Sequence, residues 1–439
     1  MFDQLYVWYL VNSHDPKLIG SIRLTQFGAG SRGVSLRYCA TWLQTGFALS
    51  ADLPLIDVEH LPRWPEMAVG AIDDARPDRW GEKLIRLLDK PKRLSLMEFL
   101  YFAGDDRFGA LGVSTSDQQY SPRRHGPLPT LSHVQEMSEI VGMINAREPL
   151  NESQARLIST GGSIGGAKPK ALFDVASEQW VIKFYNGEPV DTPVIEHASM
   201  TMAKQAGITV AHTKVLSLAS ENALAIKRFD RHEGQRLHCI SAGTALRAVA
   251  ANATSLSLGY PALAQELRRS GQIADSMNQA QAHELFRRMV FNILIDNTDD
   301  HERNHALWRD SSSATGKWHL TPAFDVLPTN SGQGRQEFLV GDQEADSSLA
   351  NALSQCSQFG LNRDQAADQV NRVATVVQNW REHFHNCGVI QSDIESLSAW
   401  LDDSEIGRER KEFVIRGQSS SVKPHKPRPR NDSGKNRFS

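Results

Sequence analysis

The chain has few cysteines and no long hydrophobic run. Its four cysteines, Cys39, Cys239, Cys356 and Cys387, are widely scattered, which excludes the closely spaced pairs of a disulfide framework or a zinc site. The longest apolar runs, such as Met289–Phe291, are far too short to span a bilayer. The first residues also lack the basic, apolar and small-residue order of a signal peptide. These absences predict a cytoplasmic protein with reduced thiols.

Acidic and basic residues are also nearly balanced, with 51 Asp and Glu against 48 Lys and Arg. The net charge of −3 argues against a chain that coats nucleic acid over its whole surface, although a local basic patch is compatible with it. With 439 residues, 40% hydrophobic and 23% charged, the chain has the composition of an ordinary globular protein. Its length is sufficient for roughly two or three domains.

The first part of the chain, residues 1–120, is predicted to form a small α+β subdomain. Its β-prone runs and helical patterns, in chain order, are Leu5–Leu10, Leu18–Leu24, Val34–Leu43, Ala71–Leu88 and Met97–Phe102. Pro77 is expected in the first turn of a helix, where a missing N–H costs nothing. Residues 121–150 are predicted to be a linker followed by a helix, because three prolines fall between positions 121 and 129.

The rest of the chain divides into a β-rich part, a helical part and a tail. Residues 151–230 are predicted to form a β lobe, with strands at Phe173–Val175, Trp180–Phe184, Thr213–Leu218 and Ala223–Phe229 and a helix at Glu196–Gln205. Residues 231–410 are predicted to form a helical lobe, with an amphipathic helix at Gln281–Ile295 and a short hairpin at 306–308 and 318–320. Residues 411–439 contain few apolar side chains and many Lys and Arg, and they are predicted to be a disordered basic tail.

A polar segment after the amphipathic helix carries the most informative pattern. In Asn297–Asn304, Asp299 and Asn304 lie five positions apart, and Asp325 follows the next hydrophobic run. Protein kinases use the same Asp-to-Asn spacing in their catalytic loop, followed by an Asp that binds metal. We therefore predict an ATP-dependent kinase in which Asp299 is the catalytic base and Asn304 and Asp325 bind Mg²⁺. The alternative is a polar turn after a helix, in which the Asn and Asp residues are turn formers.

Two histidines lie in or next to the same segment. His301 and His305 are alternative metal ligands, but magnesium prefers oxygen. A role in bracing the loop is therefore favoured for His301, and we expect it to line the nucleotide site.

The segment Thr160–Lys170 is rich in glycine and leads into the first strands of the β lobe. Backbone N–H groups of such a loop can turn toward an anion. We predict that it covers the ATP phosphates, with Ser163, Ile164, Gly165 and Gly166 in contact. The segment matches neither the Walker pattern nor the kinase Gly-x-Gly-x-x-Gly register, so a flexible surface loop is the alternative.

Lys183 lies inside an apolar strand, where a lysine must find an anion or extend to solvent. Kinases use such a lysine to hold nucleotide phosphates, often tethered by an acidic residue on the next helix. Glu196 is the candidate tether, although it could instead be a partner of the helix dipole, and Lys183 could be a surface lysine. Lys227 and Phe229 end the last strand of the β lobe, and we predict a hinge there whose main chain binds adenine.

These elements, in this order, resemble the HipA-type serine/threonine kinase toxins of bacterial toxin–antitoxin modules. The matching segments are Pro77–Gly81, Gly104–Leu111, Ser163–Lys170, Val181–Phe184, Ile195–His197, Arg228–Arg231, Asn297–Asn304 and Pro322–Asp325. The resemblance covers about residues 1–410. It implies a two-lobed, protein-kinase-like α+β fold, with a β-rich N-terminal lobe, a small N-terminal subdomain and an all-helical C-terminal lobe.

The resemblance also implies roles and partners. Asp299 would be the catalytic base, Asn304 and Asp325 the Mg²⁺ ligands, and Lys183 the contact to the ATP phosphates. Ser163 would be autophosphorylated, and the roughly two negative charges of a phosphoserine would repel the nucleotide and turn the enzyme off. The implied substrate is an aminoacyl-tRNA synthetase, most notably the glutamyl enzyme. The implied partner is a helix-turn-helix antitoxin that binds operator DNA.

Two features depart from the family pattern, and two other functions stay open. The glycine loop ends in Lys-Pro-Lys, and the tail after Arg410 matches no family pattern; it either contacts phosphate groups of DNA or is a solvated end. The alternative functions are a DNA-associated corepressor without activity and a small-molecule kinase that acts on a sugar or an antibiotic. The presence of Lys183, Asp299, Asn304 and Asp325 disfavours a loss of activity.

Overall fold

The protein is described by a computed structural model over residues 2–27, 30–123, 127–159, 166–249, 257–310, 316–329, 332–402 and 405–420. The predicted nucleotide-binding residues Ser163, Ile164 and Gly165 lie outside these ranges, as do residues 421–439 of the predicted tail. Within these ranges, none of the helices is long and apolar enough to cross a bilayer. The mixture of helices and strands confirms the predicted α+β class.

The described part of residues 2–123 contains a five-stranded antiparallel sheet and short helices. The strands are β1 (Gln4–Tyr9), β2 (Lys17–Phe27), β3 (Ser31–Tyr38), β4 (Glu59–His60) and β5 (Leu111–Ser114). They lie in the order β4-β3-β2-β1-β5. The helices are α1 (Ala40–Thr45), α2 (Ala71–Asp74), α3 (Arg79–Leu84) and α4 (Leu96–Phe102), and a π-helical segment, Ile85–Asp89, continues α3.

Two local predictions for this subdomain are wrong. The run Val34–Leu43 is not one strand, because β3 ends at Tyr38 and α1 follows it; a short apolar run does not distinguish strand from helix. Pro77 does not lie in the first turn of a helix. Asp78 caps α3 instead, since its side chain accepts a hydrogen bond from the Gly81 N–H at 2.7 Å, and Asp is a preferred N-cap residue.

The β lobe follows the linker. Its helices are α5 (Val134–Ala146), α6 (Glu152–Ile158) and α7 (Thr192–Gln205), and a 3-10 turn, Leu131–His133, precedes α5. Its strands are β6 (Lys170–Val175), β7 (Glu178–Phe184), β8 (Thr213–Ser217) and β9 (Asn222–Lys227), which pair antiparallel in the order β6-β7-β9-β8. The helix predicted from Glu196 begins earlier, at Thr192, because the Asp191 side chain accepts a hydrogen bond from the Val194 N–H at 3.3 Å.

Helix α3 of the N-terminal subdomain packs against the β lobe. Trp80 and Leu84 of α3 share a buried hydrophobic cluster with Phe173, Trp180 and Ile182 of β6 and β7. The boundary predicted at residue 120 therefore separates segments that share one core.

The second lobe starts with short strands and continues mainly as helices. The strands are β10 (Arg231–His232), β11 (Gln235–Arg236), β12 (His238–Ser241), β13 (Ala306–Arg309) and β14 (Trp318–Leu320). The helices are α8 (Ala242–Val249), α9 (Tyr260–Ser270), α10 (Met277–Leu294), α11 (Leu349–Ser354), α12 (Arg363–Val377), α13 (Trp380–Asn386), α14 (Gln391–Leu401) and α15 (Glu405–Ser420), with 3-10 turns at Ala274–Ser276 and Cys356–Phe359.

The resemblance implied an all-helical lobe, but this lobe also contains strands. The predicted hairpin forms between β13 and β14, but β12 pairs antiparallel with β13 and makes a three-stranded sheet. The four residues of β12 lie more than sixty positions before their partners, so no local pattern predicts the pairing.

The predicted boundary at residue 410 falls inside a helix. Helix α15 runs from Glu405 to Ser420, and Ile406 and Phe413 pack against the main hydrophobic core. Arg410 is fully buried and pairs with Asp402 at 2.6 Å. These contacts explain why the chain stays helical beyond the predicted end.

Helix α10 lies in the middle of the main core. The predicted apolar stripe of this helix, Leu285, Phe286, Met289, Val290, Ile293 and Leu294, is completely buried. A helix packed in this way is a rigid support, and the polar segment with Asp299 follows directly at its C-terminal end.

Candidate active site

Lys183 lies where three segments of the chain converge. Its ammonium group donates hydrogen bonds to Glu196 Oε1 at 2.7 Å and to Asp325 Oδ1 at 2.6 Å. Lys183 belongs to β7, Glu196 to the second turn of α7, and Asp325 to the loop after β14. Lys183 is therefore not a surface lysine, and Glu196 does not lie at the first turn of its helix.

Lys183 and Asp325 stabilise each other's charged forms, whereas burial, with Asp325 adding to it, raises the pKa of Glu196 despite the ammonium group beside it. Burial disfavours the charged form of Lys183, but Asp325 and Glu196 outweigh that effect and raise its pKa. For Asp325, burial is outweighed by Lys183, which holds the pKa of this carboxyl well below its usual range. Lys183 and Asp325 are therefore both charged at neutral pH. Glu196 is 3% exposed, so its position depends on the ammonium group beside it.

Asp325 has an unusual backbone. Strand β14 ends at Leu320, and Asp325 lies five residues later with a φ of +60°. A positive φ is uncommon for a residue other than glycine, and such conformations concentrate at functional sites. The chain before it is fixed, because the Ala323 N–H donates to Thr209 O at 2.8 Å and Ala323 O accepts from the Ala211 N–H at 2.9 Å.

The loop after α10 presents Asp299 to solvent and buries Asn304. Asp299 is exposed, whereas Asn304 is 7% exposed. The Asn304 amide nitrogen donates to Asp299 O at 3.4 Å, so its amide oxygen, the atom that a magnesium ion would need, takes no part in this bond. A hydrogen bond thus joins Asp299 and Asn304, the two residues of this loop that were predicted to share one site.

Thr329 joins this loop to the segment after Asp325. Its N–H donates to Asp296 O at 3.0 Å, and its hydroxyl accepts a hydrogen bond from the Thr298 N–H at 3.1 Å. Asn304 also lines one small cavity of about 10 Å³ together with Phe324 and Val326. The loop of Asp299 and the loop of Asp325 are therefore packed against each other.

Asp300, next to Asp299, has the opposite environment. It is 1% exposed and accepts hydrogen bonds from the Tyr260 hydroxyl and from His305 Nε2, the latter at 2.8 Å. The Asn292 amide donates to the Tyr260 hydroxyl at 3.0 Å, which extends the network into α10. Sequence reasoning did not identify this network, because its members are far apart in the chain.

The two histidines of the segment are engaged inside the protein. His301 Nδ1 accepts the Arg303 N–H at 3.2 Å, a contact that braces the loop. His305 holds Asp300 and stacks on Phe338 at 5.3 Å between ring centroids. Among the described residues, no group of three or more His, Cys, Asp or Glu side chains is arranged to hold a metal ion. A metal at this site would therefore need oxygen atoms from a ligand in addition to those of Asn304 and Asp325.

Fewer residues of the predicted hinge are available to bind adenine than expected. The N–H groups of Lys227 and Arg228 donate to His212 O at 2.8 Å and Gln179 O at 3.0 Å, so they are already used inside the protein. The Lys227 side chain pairs with Glu178 at the surface. The half-buried Phe229 is left as the hinge candidate.

Phe229 belongs to a row of three aromatic rings. Its ring centroid lies 5.9 Å from that of Phe108 and 5.6 Å from that of Phe324, the residue before Asp325. The row therefore links the N-terminal subdomain, the hinge and the loop of Asp325.

Two further charged residues beside the site were missed from the sequence. Lys170 is 1% exposed, and its ammonium group contacts Asp78 Oδ2 at 3.0 Å. In the sheet, Lys170 lies directly opposite Lys183. The second lysine of Lys-Pro-Lys was the available signal, since a charged residue at the start of a buried strand needs a partner.

Comparisons with known proteins agree with this architecture. Residues 162–380 match the family of HipA-like C-terminal domains. The structure is similar to a chain in the complex of the Shewanella oneidensis MR-1 toxin–antitoxin system HipA, HipB and its operator DNA, with a TM-score of 0.61 and 18% identity over 94% of this chain and 97% of that chain. It also matches the Helicobacter pylori proinflammatory kinase CtkA, with a TM-score of 0.44 and 16% identity over 57% of this chain and 94% of that chain. A search of curated protein sequences finds no match.

The structural similarity to the Shewanella chain covers almost the whole length of both proteins, so the N-terminal subdomain and both lobes share its fold. The family match falls on the glycine loop, the β lobe and most of the helical lobe. The chain therefore belongs to the HipA family, as its motifs predicted.

Proposed function

We propose that this protein is an ATP-dependent serine/threonine kinase and the toxin of a bacterial type II toxin–antitoxin module, active in the cytoplasm. The observation that supports this most is the convergence of Glu196 and Asp325 on the ammonium group of Lys183, at 2.7 and 2.6 Å. Kinases need these parts: a lysine for the nucleotide phosphates, an acid that holds the lysine, and an acid for the metal.

The residues of this chain would divide the reaction between them. Asp299 is exposed at the end of a rigid helix, so it can accept a proton from the hydroxyl group of an approaching protein substrate. Lys183 would hold the phosphates of ATP, with Glu196 fixing its direction. Phe229 and Phe324 present ring surfaces on which an adenine could lie.

The polar atoms of the site fit a magnesium ion. Asn304 and Asp325 supply an amide oxygen and a carboxylate, which are ligands that Mg²⁺ accepts when phosphate oxygens and waters complete its shell. Only Oδ1 of Asp325 contacts Lys183, so Oδ2 takes no part in that pair. A bound ion would supply positive charge that stabilises the phosphate groups during transfer.

The proposal includes the regulation and the partners that the family resemblance implies. Phosphorylation of Ser163 would inactivate the enzyme, and the external substrate would be an aminoacyl-tRNA synthetase, for example the glutamyl enzyme. The similar Shewanella chain was solved together with HipB and operator DNA. This supports an antitoxin with a helix-turn-helix and a role in repression of the operon through operator DNA.

Incubation of the purified protein with γ-labelled ATP, Mg²⁺ and a bacterial cell extract tests the proposal. We expect label on one extract protein and on the kinase itself. Self-labelling should disappear in Ser163→Ala and persist in Ser159→Ala, a control four positions away. Label that appears only on a metabolite would mean a small-molecule kinase. A complete absence of label would mean a corepressor without activity.

A further inference from the structure

Asp78 makes two contacts that belong to different parts of the molecule. Its Oδ1 accepts the Gly81 N–H at 2.7 Å and caps α3, while its Oδ2 accepts from the Lys170 ammonium group at 3.0 Å. The side chains of Lys170 and Asp78 are 1% and 6% exposed. One carboxylate of the N-terminal subdomain is thus the counter-ion of a buried lysine at the start of β6.

Lys170 needs this counter-ion because of its position in the sheet. It lies directly opposite Lys183, its partner on the neighbouring strand β7, and like charges directly opposite each other destabilise a sheet. Burial lowers the pKa of Lys170, Asp78 opposes this effect, and Lys183 adds to it. Asp78 is therefore the contact that favours a charged Lys170 beside Lys183, although burial also raises the pKa of Asp78 itself.

Lys170 also lies next to the end of the glycine loop. Gly166, the last of the residues predicted to contact the ATP phosphates, has a φ of +96°, and a Cβ atom at this position would lie 3.0 Å from Lys170 Nζ. The backbone of Gly166 therefore closely approaches the ammonium group that Asp78 contacts. A shift of Lys170 would change the surroundings of Gly166.

A second bond from α3 fixes the main chain of the same residue. Trp80 Nε1 donates to Lys170 O at 2.8 Å, and the Trp80 ring lies in the buried cluster of the β lobe. Helix α3 thus holds Lys170 by its side chain, through Asp78, and by its carbonyl oxygen, through Trp80.

We propose that Asp78 is a positioning residue of the kinase site, through which the N-terminal subdomain holds Lys170 and the end of the glycine loop in the geometry that binds nucleotide phosphates. This inference rests on the proposed function. It assigns to the subdomain a part in nucleotide binding.

The charge balance explains why a separate partner for Lys170 is useful. If Asp325 shares its carboxylate with a metal ion, Lys183 would keep Glu196 as its partner and gain the phosphates. If Lys170 depended on Glu196 and Asp325 for its counter-charge, it would then lie beside a Lys183 whose positive charge is less well neutralised. Asp78 lies outside this exchange, since it comes from α3, and it keeps Lys170 paired throughout.

The variant Asp78→Asn separates the two roles of Asp78. Asn is as good an N-cap residue as Asp, so α3 stays capped while the counter-ion is lost. We expect the affinity for a non-hydrolysable ATP analogue with Mg²⁺, measured by calorimetry on the full chain, to fall by about tenfold or more, the scale of one lost charged hydrogen bond. KM for ATP should rise by a similar factor, with a smaller change in kcat.

A pH series distinguishes positioning from a general loss of structure. Lys170 faces Asp78 from α3, Lys183 from β7 and Asp325 from the loop after β14. The pKa of Lys183 is raised and that of Asp325 lowered, so neither titrates between pH 7 and 9. In Asp78→Asn the carboxylate that opposes the effect of burial on the pKa of Lys170 is lost. The affinity of this variant should therefore weaken more steeply with rising pH than the affinity of the wild-type protein.

Asp105→Asn is the matched control. Asp105 also lies in the N-terminal subdomain and pairs with a cation of another segment, Arg236, at 2.9 Å. Its other side-chain partner among the described residues is Tyr120, which lies outside β6. We expect the analogue affinity of this variant to stay within about twofold of wild type, because no contact of the phosphate side is lost.

A second variant keeps the test decisive if Asp78→Asn does not fold. Trp80→Phe keeps an aromatic ring in the cluster and removes only the donor to Lys170 O, so it should weaken analogue binding in the same direction by a smaller factor. Unchanged affinity in every folded variant of this pair, with a wild type that binds the analogue, overturns the inference. A wild type that does not bind the analogue contradicts the proposed function instead.

Discussion

The lysine cluster, Lys183 and Lys170 with their acidic partners, and the loop that carries Asp299 differ in how their charged side chains are paired. Around Lys183 and Lys170, the ammonium groups and the three carboxylates of Asp78, Glu196 and Asp325 are joined in pairs within 3.0 Å. In the loop, the predicted base lies in solvent, and the polar contacts fix the residues around it. The cluster that we propose to bind nucleotide thus holds its charges in pairs. The loop that we propose to meet a protein substrate has a fixed backbone and one exposed carboxylate.

The neighbours Asp299 and Asp300 show this difference within two residues. Asp299 is exposed, whereas Asp300 is 1% exposed and held by Tyr260 and His305. Asp299 is therefore accessible, as its proposed role requires, whereas Asp300 is held where it fixes the loop. Substitutions of Asp299, Lys183 and Asp300 test this contrast, and a substitution of His238 tests a position outside both regions.

Asp299→Asn should have the largest effect. Removal of a proton-accepting group should lower kcat by at least ~10²-fold, while analogue affinity and thermal stability stay unchanged because the side chain is exposed. The assay is transfer of labelled phosphate to the extract protein, with Asp364→Asn, an exposed acid at the start of α12, as control. Activity within a few-fold of wild type would remove Asp299 from the mechanism.

Lys183→Met should come next and should act on binding and stability together. The loss of a charged contact to phosphate is expected to lower kcat/KM by about 10²-fold, or nearly 3 kcal/mol. Glu196 would lose its partner while buried, which should also lower the free energy of unfolding by about 3 kcal/mol. Lys204→Met, an exposed lysine on α7, is the control for both measurements. Intact analogue binding in Lys183→Met would contradict the account of the cluster.

Asp300→Asn should have a smaller effect on rate and a clear effect on stability. The variant weakens the bonds to Tyr260 and His305, so the free energy of unfolding should fall by about 1–3 kcal/mol. Misplacement of the loop should lower kcat by about tenfold with little change in analogue affinity. If this variant loses more kcat than Asp299→Asn at equal stability, the two aspartates have been assigned the wrong way round.

His238 lies outside both regions and should affect stability without changing the site. It is buried on β12, its Nε2 contacts Leu49 O at 2.8 Å, and burial lowers its pKa to about 4. Below pH 6.5 the unfolded chain binds a proton that the folded chain does not, so stability should be lost as the pH falls from 6.5 to 4. The expected loss is about 3 kcal/mol, measured by denaturant unfolding. In His238→Gln, an unfolding free energy with the same pH dependence as wild type would contradict this prediction.

Features that depend on local spacing were predictable from the sequence. The stripe of α10 and the four strands of the β lobe follow from periodicity, and the family follows from motifs. The spacing of Asp299 and Asn304 identified the loop. The position of Lys183 in an apolar strand indicated that this lysine needs an acidic partner. The roles of these residues stay predictions until activity is measured.

Features that depend on contacts between distant segments were not predictable. The pairing of β12 with β13, the network around Asp300 and the pair of Asp78 with Lys170 each join positions that no local pattern relates. Helix ends were misplaced where one capping side chain decides them, as Asp191 does for α7. The continuation of α15 depends on tertiary packing, which can override a low apolar content.

A crystal structure with Mg²⁺ and a non-hydrolysable ATP analogue tests the central claim most directly. We predict one ion bound by the amide oxygen of Asn304 and the carboxylate of Asp325, at about 2.0–2.1 Å from each, with Lys183 on the phosphates and still paired with Glu196. A nucleotide bound elsewhere, or Asn304 and Asp325 turned too far apart to share an ion, would contradict the account.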